Sequence, residues 1–389
     1  MSRRDLLVAL LPLTLLVAPV AASADRPVTT VYVREYASGD CIADDAAASQ
    51  TAIGQWHMLQ ASGQGGVLDF GTGCYRTTTT LHFGRGDGAF VYGTIRGDGP
   101  TLARIVVDPD VAVAADMNRL KYSSVSGLGF YGRGSGTGLL ISSPEPGMGS
   151  SSDGLNHLLL REFGTCLLIG EGGGQAAAAL TFTQLEIQNC TTGIHATAFN
   201  TLDLTFINLA LVANQTGFVA DSAHQINFLG GSGSGNHDTF KLLPAGHFSI
   251  RGWREEPPTG IWLQAGCCQA ATFISVSDSM IYGTGSPDPP LIRPSGDVYL
   301  TVSNSLIGGR IAPKPSVGST IITNSGIFDI APWVANTDDP NGSGMFYRVE
   351  GNYRASNQGG ALDLGPWPDA TGRAVNGQMQ QSVEPAVQP

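Results

Sequence analysis

The 389-residue sequence predicts an all-β fold, a single-stranded right-handed parallel β-helix with an N-terminal capping helix. Three observations predict it. The stretch LTFTQLEIQNCTTGIHA, Leu180 to Ala196, returns twenty-four residues later as LTFINLALVANQTGFVA, Leu204 to Ala220, with seven of seventeen positions identical. Short period-2 apolar runs continue on either side at intervals of 21 to 27 residues, separated by Gly, Asn, Ser or Asp. The composition, with 52 Gly and 14% charged residues, is that of a folded all-β protein and not of a disordered chain.

The chain opens with Arg3 and Arg4 before an apolar run from Leu6 to Val20 that ends in Ala22-Ser23-Ala24. This is the pattern of a secretory signal peptide, and the run is shorter than the ~20 residues that span a bilayer. Ser2-Arg3-Arg4-Asp5-Leu6-Leu7 also resembles the twin-arginine motif, so Sec and twin-arginine export both stay open, and the mature protein is expected to be secreted or periplasmic. Cleavage would leave 19 basic and 31 acidic residues, a formal charge of −12. Nucleic acid is excluded as a partner on that charge. A polyanion would be repelled unless a basic groove or bound Ca²⁺ offset the field. After signal removal no membrane segment is expected.

Six cysteines then meet an oxidising compartment. Cys41 and Cys74 lie in the N-terminal region, Cys166 and Cys190 lie one repeat apart, and Cys267 and Cys268 are adjacent. No CxxC or His/Cys grouping has zinc-ligand spacing, so the expected use is structural, with no metal or organic cofactor. A bridge from Cys41 to Cys74 would hold the cap against the first turn.

Residues 25–107 read as cap and first coils. Asp44 or Asp45 caps a helix reaching about Ala61, whose Ala52, Ile53, Trp56 and Leu59 make an apolar stripe suited to covering an open β-helix end. Residues 108–335 read as coils. Asn156-His157-Leu158-Leu159-Leu160, Gln184-Leu185-Glu186-Ile187 and Asn208-Leu209-Ala210-Leu211 align. Ile226, Phe228, Phe248, Ile250, Phe273, Val276, Leu300, Val302, Ile321 and Ile322 continue the apolar pattern. Strands of three to five residues cannot form a sheet alone, but stacked copies pair in parallel and share one interior. Nine or ten coils at ~4.8 Å would make a rod of ~45 Å. A sandwich or propeller competes poorly, because hairpin turn signals are scarce and the unit is shorter than a blade of ~40 residues. Residues 336–365 read as a closing loop and 366–389 as a polar, Pro- and Gln-containing disordered tail.

Gly39-Asp40, Asp44-Asp45, Gln50-Thr51-Ala52-Ile53, Gly65-Gly66-Val67-Leu68-Asp69-Phe70, Gly73-Cys74-Tyr75-Arg76 and Ile95-Arg96-Gly97-Asp98-Gly99-Pro100 together resemble the opening module of the pectate lyase superfamily, in its polygalacturonase and rhamnogalacturonase branch. The resemblance covers about residues 36 to 107 and implies action on a polysaccharide laid along the rod. It does not carry catalytic residues. Asn336-Thr337-Asp338-Asp339 matches the polygalacturonase motif in letters but lies in a Pro- and Gly-rich loop, and Ile292-Arg293-Pro294-Ser295 lacks the second Arg of the lyase motif.

Register supplies the remaining candidates. If Ile194, Phe218, Phe240 and Ile261 point inward, then His195, Val219, Lys241 and Trp262 form an outward column offering an aromatic platform and hydrogen-bond donors. Beside it lie Asn236-His237-Asp238 and Arg254-Glu255-Glu256-Pro257-Pro258. The carboxyls of Asp238, Glu255 and Glu256 would meet at one corner, as glycoside hydrolysis requires of a pair. The alternative for the two glutamates is an ion network with Arg251 and Arg254. Three function classes follow: a glycoside hydrolase using the carboxyl pair; a polysaccharide lyase using Lys241, His195 or His237 as base on a uronate, with Ca²⁺ as the expected cation; or a noncatalytic glycan-binding β-helix. The acidic charge favours the first, with His195, His237, Lys241, Arg254 and Trp262 binding substrate.

Overall fold

The computed structural model describes residues 29–355, apart from 62–65, 86–87, 143–149, 152, 171–175, 199, 267–270, 284–289, 295–296, 309–317, 324, 329–345 and 351–352. The expected signal peptide, Cys267, Cys268, the Asn336 motif and the tail lie outside the described residues. Within them the chain is a single-stranded right-handed parallel β-helix. Every strand pairing is parallel, and each strand lies beside its copy from the next coil, for example Thr181–Gln188 beside Leu204–Val212. The twenty-four-residue repeat is one coil: Phe182 pairs with Phe206, Ile194 with Phe218 and Ala196 with Ala220.

Each full coil has three faces. The first and second are the two halves of one long bent strand in the central coils, such as Gly154–Arg161 or Gln225–Ser234. The third is a separate nine-stranded sheet running from Leu81–His82 to Ile292–Pro294. The corner between the first two faces is one residue deep and left-handed. Gly127, His157, Gln184, Asn208, Gly230, Gly252, Asp278 and Asn304 occupy it with φ between 48° and 70°. Gly, Asn and Asp adopt this conformation at least cost, which explains their recurrence between the apolar runs.

Inward side chains stack coil upon coil. The rings of Phe182, Phe206 and Phe228 lie parallel, with centroids 4.7 and 5.4 Å apart. Phe218 and Phe240 meet Phe228 edge-on from the third face. Such contacts add ~0.5–1.5 kcal/mol per pair beyond area burial. Turn backbone is satisfied by polar ladders inside the wall. Asn214 accepts from the Cys190 N–H and donates to the Ile187 carbonyl, and Asn236 accepts from Asn214 in the same way. Ser279, Ser305 and Ser325 repeat the device further along, each hydroxyl accepting the N–H of the residue one coil before.

The capping helix spans Ala46–Ala61 and buries Ala52, Ile53 and Trp56. Asp44 accepts the Ala46 N–H and so acts as cap, whereas Asp45 turns back to bind the N–H groups of Ser38 and Gly39. The Trp56 indole donates to the Gly66 carbonyl, fixing the helix over the first coil. A disulfide joins Cys41 to Cys74, and a second joins Cys166 to Cys190 one coil on. No helix among the described residues is long and apolar enough to cross a membrane.

Candidate functional site

The outward column of the third face holds His195, Val219 and Lys241 on successive strands, in the expected register. His195 Nε2 lies 2.8 Å from Asp221 Oδ2. In the neutral tautomer that donates from Nε2 to this carboxylate, Nδ1 keeps its lone pair. Two strands along, Lys241 Nζ lies 2.8 Å from Asp238 Oδ2 and donates to Thr216 Oγ1 at 3.2 Å. His237 Nδ1 approaches Asp238 Oδ1 to 3.2 Å, and the Ile261 N–H donates to that oxygen at 2.9 Å. Burial pushes the Asp238 carboxyl upward, but the Ile261 N–H, Lys241 and His237 outweigh it and hold the group below its ordinary value. Asp238 is therefore a carboxylate that positions Lys241. The sequence had named His195, His237, Asp238 and Lys241, and the structure gathers them on one open face.

Four other expectations are corrected. Phe240 pairs with Leu263, not Ile261, because the turn through Glu256-Pro257-Pro258 is longer than assumed. The next residues of the column are Gln264 and Arg293. Trp262 is 0% exposed and meets the Phe240 ring edge-on at 5.9 Å, so it fills the interior and offers no platform to a sugar. Glu255 is likewise 0% exposed. It occupies an interior column that reads Leu160, Ile187, Leu211, Gly233, Glu255, Ile281 and Ile307. Glu256 instead accepts from Ser234 on the outside, while Arg251 pairs with Asp278, so the expected network of the two glutamates with Arg251 and Arg254 does not form. Arg254 is exposed beside Ser232 on the second face.

Glu255 is accommodated by specific neighbours. The Trp253 indole and the Thr239 hydroxyl each donate to it at 2.7 Å. The Trp262 N–H points at the same carboxyl without good hydrogen-bond geometry. A Cβ on Gly233 would lie 2.1 Å from Glu255 Oε2, so the space for the carboxyl exists because residue 233 is glycine. Burial raises this carboxyl to about 7, against the smaller lowering by Trp253 and Thr239. Asp238 opens outward and Glu255 inward, so the two cannot flank one glycosidic bond. Asp153 is a second buried acid, raised by burial to about 7, with Ser123 donating to it.

The sequence alone does not single out Asp221, which the structure pairs with His195. It also carries Phe273 in one apolar pattern with Phe248 and Val276. The structure turns Phe273 outward, and parity could have shown this, since Phe273 and Val276 stand three apart on one strand. Among the described residues no group of three or more His, Cys, Asp or Glu is placed to hold a metal ion.

No protein-family model matches the sequence, and no curated protein matches it either. Solved structures do match. The catalytic domain of Agl-KA is 15% identical with a TM-score of 0.52, over 86% of this chain and 69% of that one. The A-module of the mannuronan C-5 epimerase AlgE6 of Azotobacter vinelandii is 13% identical with a TM-score of 0.52, over 83% of this chain and 99% of that one. At such identities the likeness is one of fold alone, that of a right-handed parallel β-helix.

Proposed function

We propose that the protein is an exported enzyme acting on an acidic polysaccharide at the outer surface of the third face, by removal of a proton next to a uronate carboxylate. The observation that carries this reading is the His195–Asp221 dyad two strands from Lys241 on one open sheet. Asp221 orients the imidazole, and His195 Nδ1 takes the C5 proton. The electron pair left at C5 passes into the carboxylate, where Lys241 stabilises the added charge. From that intermediate the C4–O bond breaks to leave an unsaturated end, the departing oxygen taking up a proton, or C5 is reprotonated from the opposite side and the sugar is epimerised.

Glycoside hydrolysis by Asp238 with Glu255 loses its support because Glu255 is enclosed in the core. The C-5 epimerase with the same fold supports proton transfer as chemistry that this architecture accommodates. Two disulfides and the N-terminal sequence support export.

Purified protein assayed on a panel of uronate polysaccharides should give unsaturated products or C5 epimers. His195→Ala and Lys241→Ala should each lower turnover ~100-fold or more. Release of saturated reducing ends without epimers would assign hydrolysis instead. Full activity in both variants would remove this face from the reaction.

A further inference from the structure

A different face carries a second constellation. On the outside of the first face, His247, Phe273 and Tyr299 occupy one register column on three successive strands. Their rings stack with centroids 4.8 Å apart in both steps, tilted by only 7° and 13°. That distance is the spacing between strands, so the rings stand as a wall along the rod axis. Phe273 and Tyr299 keep 40% and 37% of their surface in solvent, although equivalent positions on an ordinary sheet exterior are polar.

The next outward position of each strand, two residues on, holds Asn227, Ser249, Ser275 and Thr301. Wall and row enclose an open groove of about 450 Å³, with Gln225 at one end. It crosses four coils, ~14 Å along the axis. No Asp, Glu, Lys or Arg lines it.

We propose that this groove binds a neutral polysaccharide chain laid along the rod axis, at a site separate from the third face and independent of the reaction assigned there. A sugar chain presents apolar C–H patches alternating with hydroxyls. The groove meets the first with ring rims and the second with a regular row of hydroxyl and amide groups. Phe273 spends both faces on its two neighbours and turns its electropositive edge outward, where hydroxyl oxygens are attracted. Charge selects among occupants. An acidic chain finds no Lys or Arg in the groove, and a second copy of this chain would bring a formal charge of −11 against the same charge.

The test is titration calorimetry of the full protein with cellohexaose, xylohexaose and β-1,3-glucohexaose, with hexagalacturonate as the acidic control. At least one neutral hexasaccharide should bind, and Phe273→Ala and Tyr299→Ala should each weaken it ~10-fold or more. Ser275→Arg, which fills the groove and leaves the ladder intact, should abolish binding. Turnover of a short uronate substrate should be unchanged in all three variants, and each should still unfold cooperatively. The proposal is overturned if no neutral hexasaccharide binds, if all variants bind as the wild type does, or if binding here is confined to hexagalacturonate. It is equally overturned if sedimentation shows a dimer that Ser275→Arg dissolves, because the groove is then a self-association surface.

Discussion

Replacing Glu255 by Gln should remove a pH dependence of stability that the wild-type core carries. The folded-state carboxyl titrates at about 7 against an ordinary value of 4.5, with burial as the main cause. An acid whose pKa is raised by folding is bound to its proton more tightly in the native state. Its favourable contribution is complete below about pH 4.5 and is lost as pH rises through about 7. At 1.36 kcal/mol per pKa unit the gap amounts to about 3 kcal/mol. Glutamine keeps the shape, accepts from the Trp253 indole, and donates to the Thr239 hydroxyl, which can turn to accept. Denaturant midpoints of wild type and Glu255→Gln, measured at about pH 4.5 and about pH 8.5, isolate this group from other acids such as Asp153. The variant should gain about 3 kcal/mol on the wild type between the two. Parallel curves would refute the assignment of Glu255 as an enclosed core acid. So would a ~100-fold loss of turnover in a variant of unchanged stability, which would return Glu255 to the chemistry.

Gly233→Ala should cost ~1–3 kcal/mol by overpacking, and double-mutant analysis should show that Glu255→Ala removes most of that cost, since the three atoms nearest the added Cβ, at 2.1–2.5 Å, all belong to the Glu255 carboxyl group. The Cys41–Cys74 bridge closes a separation of 33 residues, so Cys41→Ser with Cys74→Ser should lower stability by ~3–4 kcal/mol, read as a shift in denaturant midpoint. Asn214→Ala should cost ~2–4 kcal/mol, because it strands the buried Cys190 N–H and removes the side-chain donor to the Ile187 carbonyl. Hydrogen exchange should then speed up at Cys190, and unchanged exchange there would count against the ladder.

Much of the architecture is legible in the sequence. Strand period, coil length and the Gly/Asn/Asp corner are properties of one coil, and stacking repeats them, so Leu180–Ala196 and Leu204–Ala220 display the same constraint twice. The capping helix and the Cys41–Cys74 pair were equally readable, since each acts within a short span of chain. His195 and Lys241 could be placed on one face because the coils between them differ in length by only two residues, 24 against 22.

What the sequence by itself determined was therefore the coil, its inward and outward parity, and the outward column as far as Lys241. Only the tertiary structure decided where Glu255 and Trp262 point. Pro257 and Pro258 lengthen one turn and shift the register beyond Phe240, which moves Trp262 into the core. Glu255 contradicts the binary pattern of its strand and can face inward only because Gly233, Trp253 and Thr239, from two other strands and a turn, leave room and supply donors. Space and hydrogen-bond partners for a buried acid are properties of neighbours brought together by stacking, and no local pattern of residues records them.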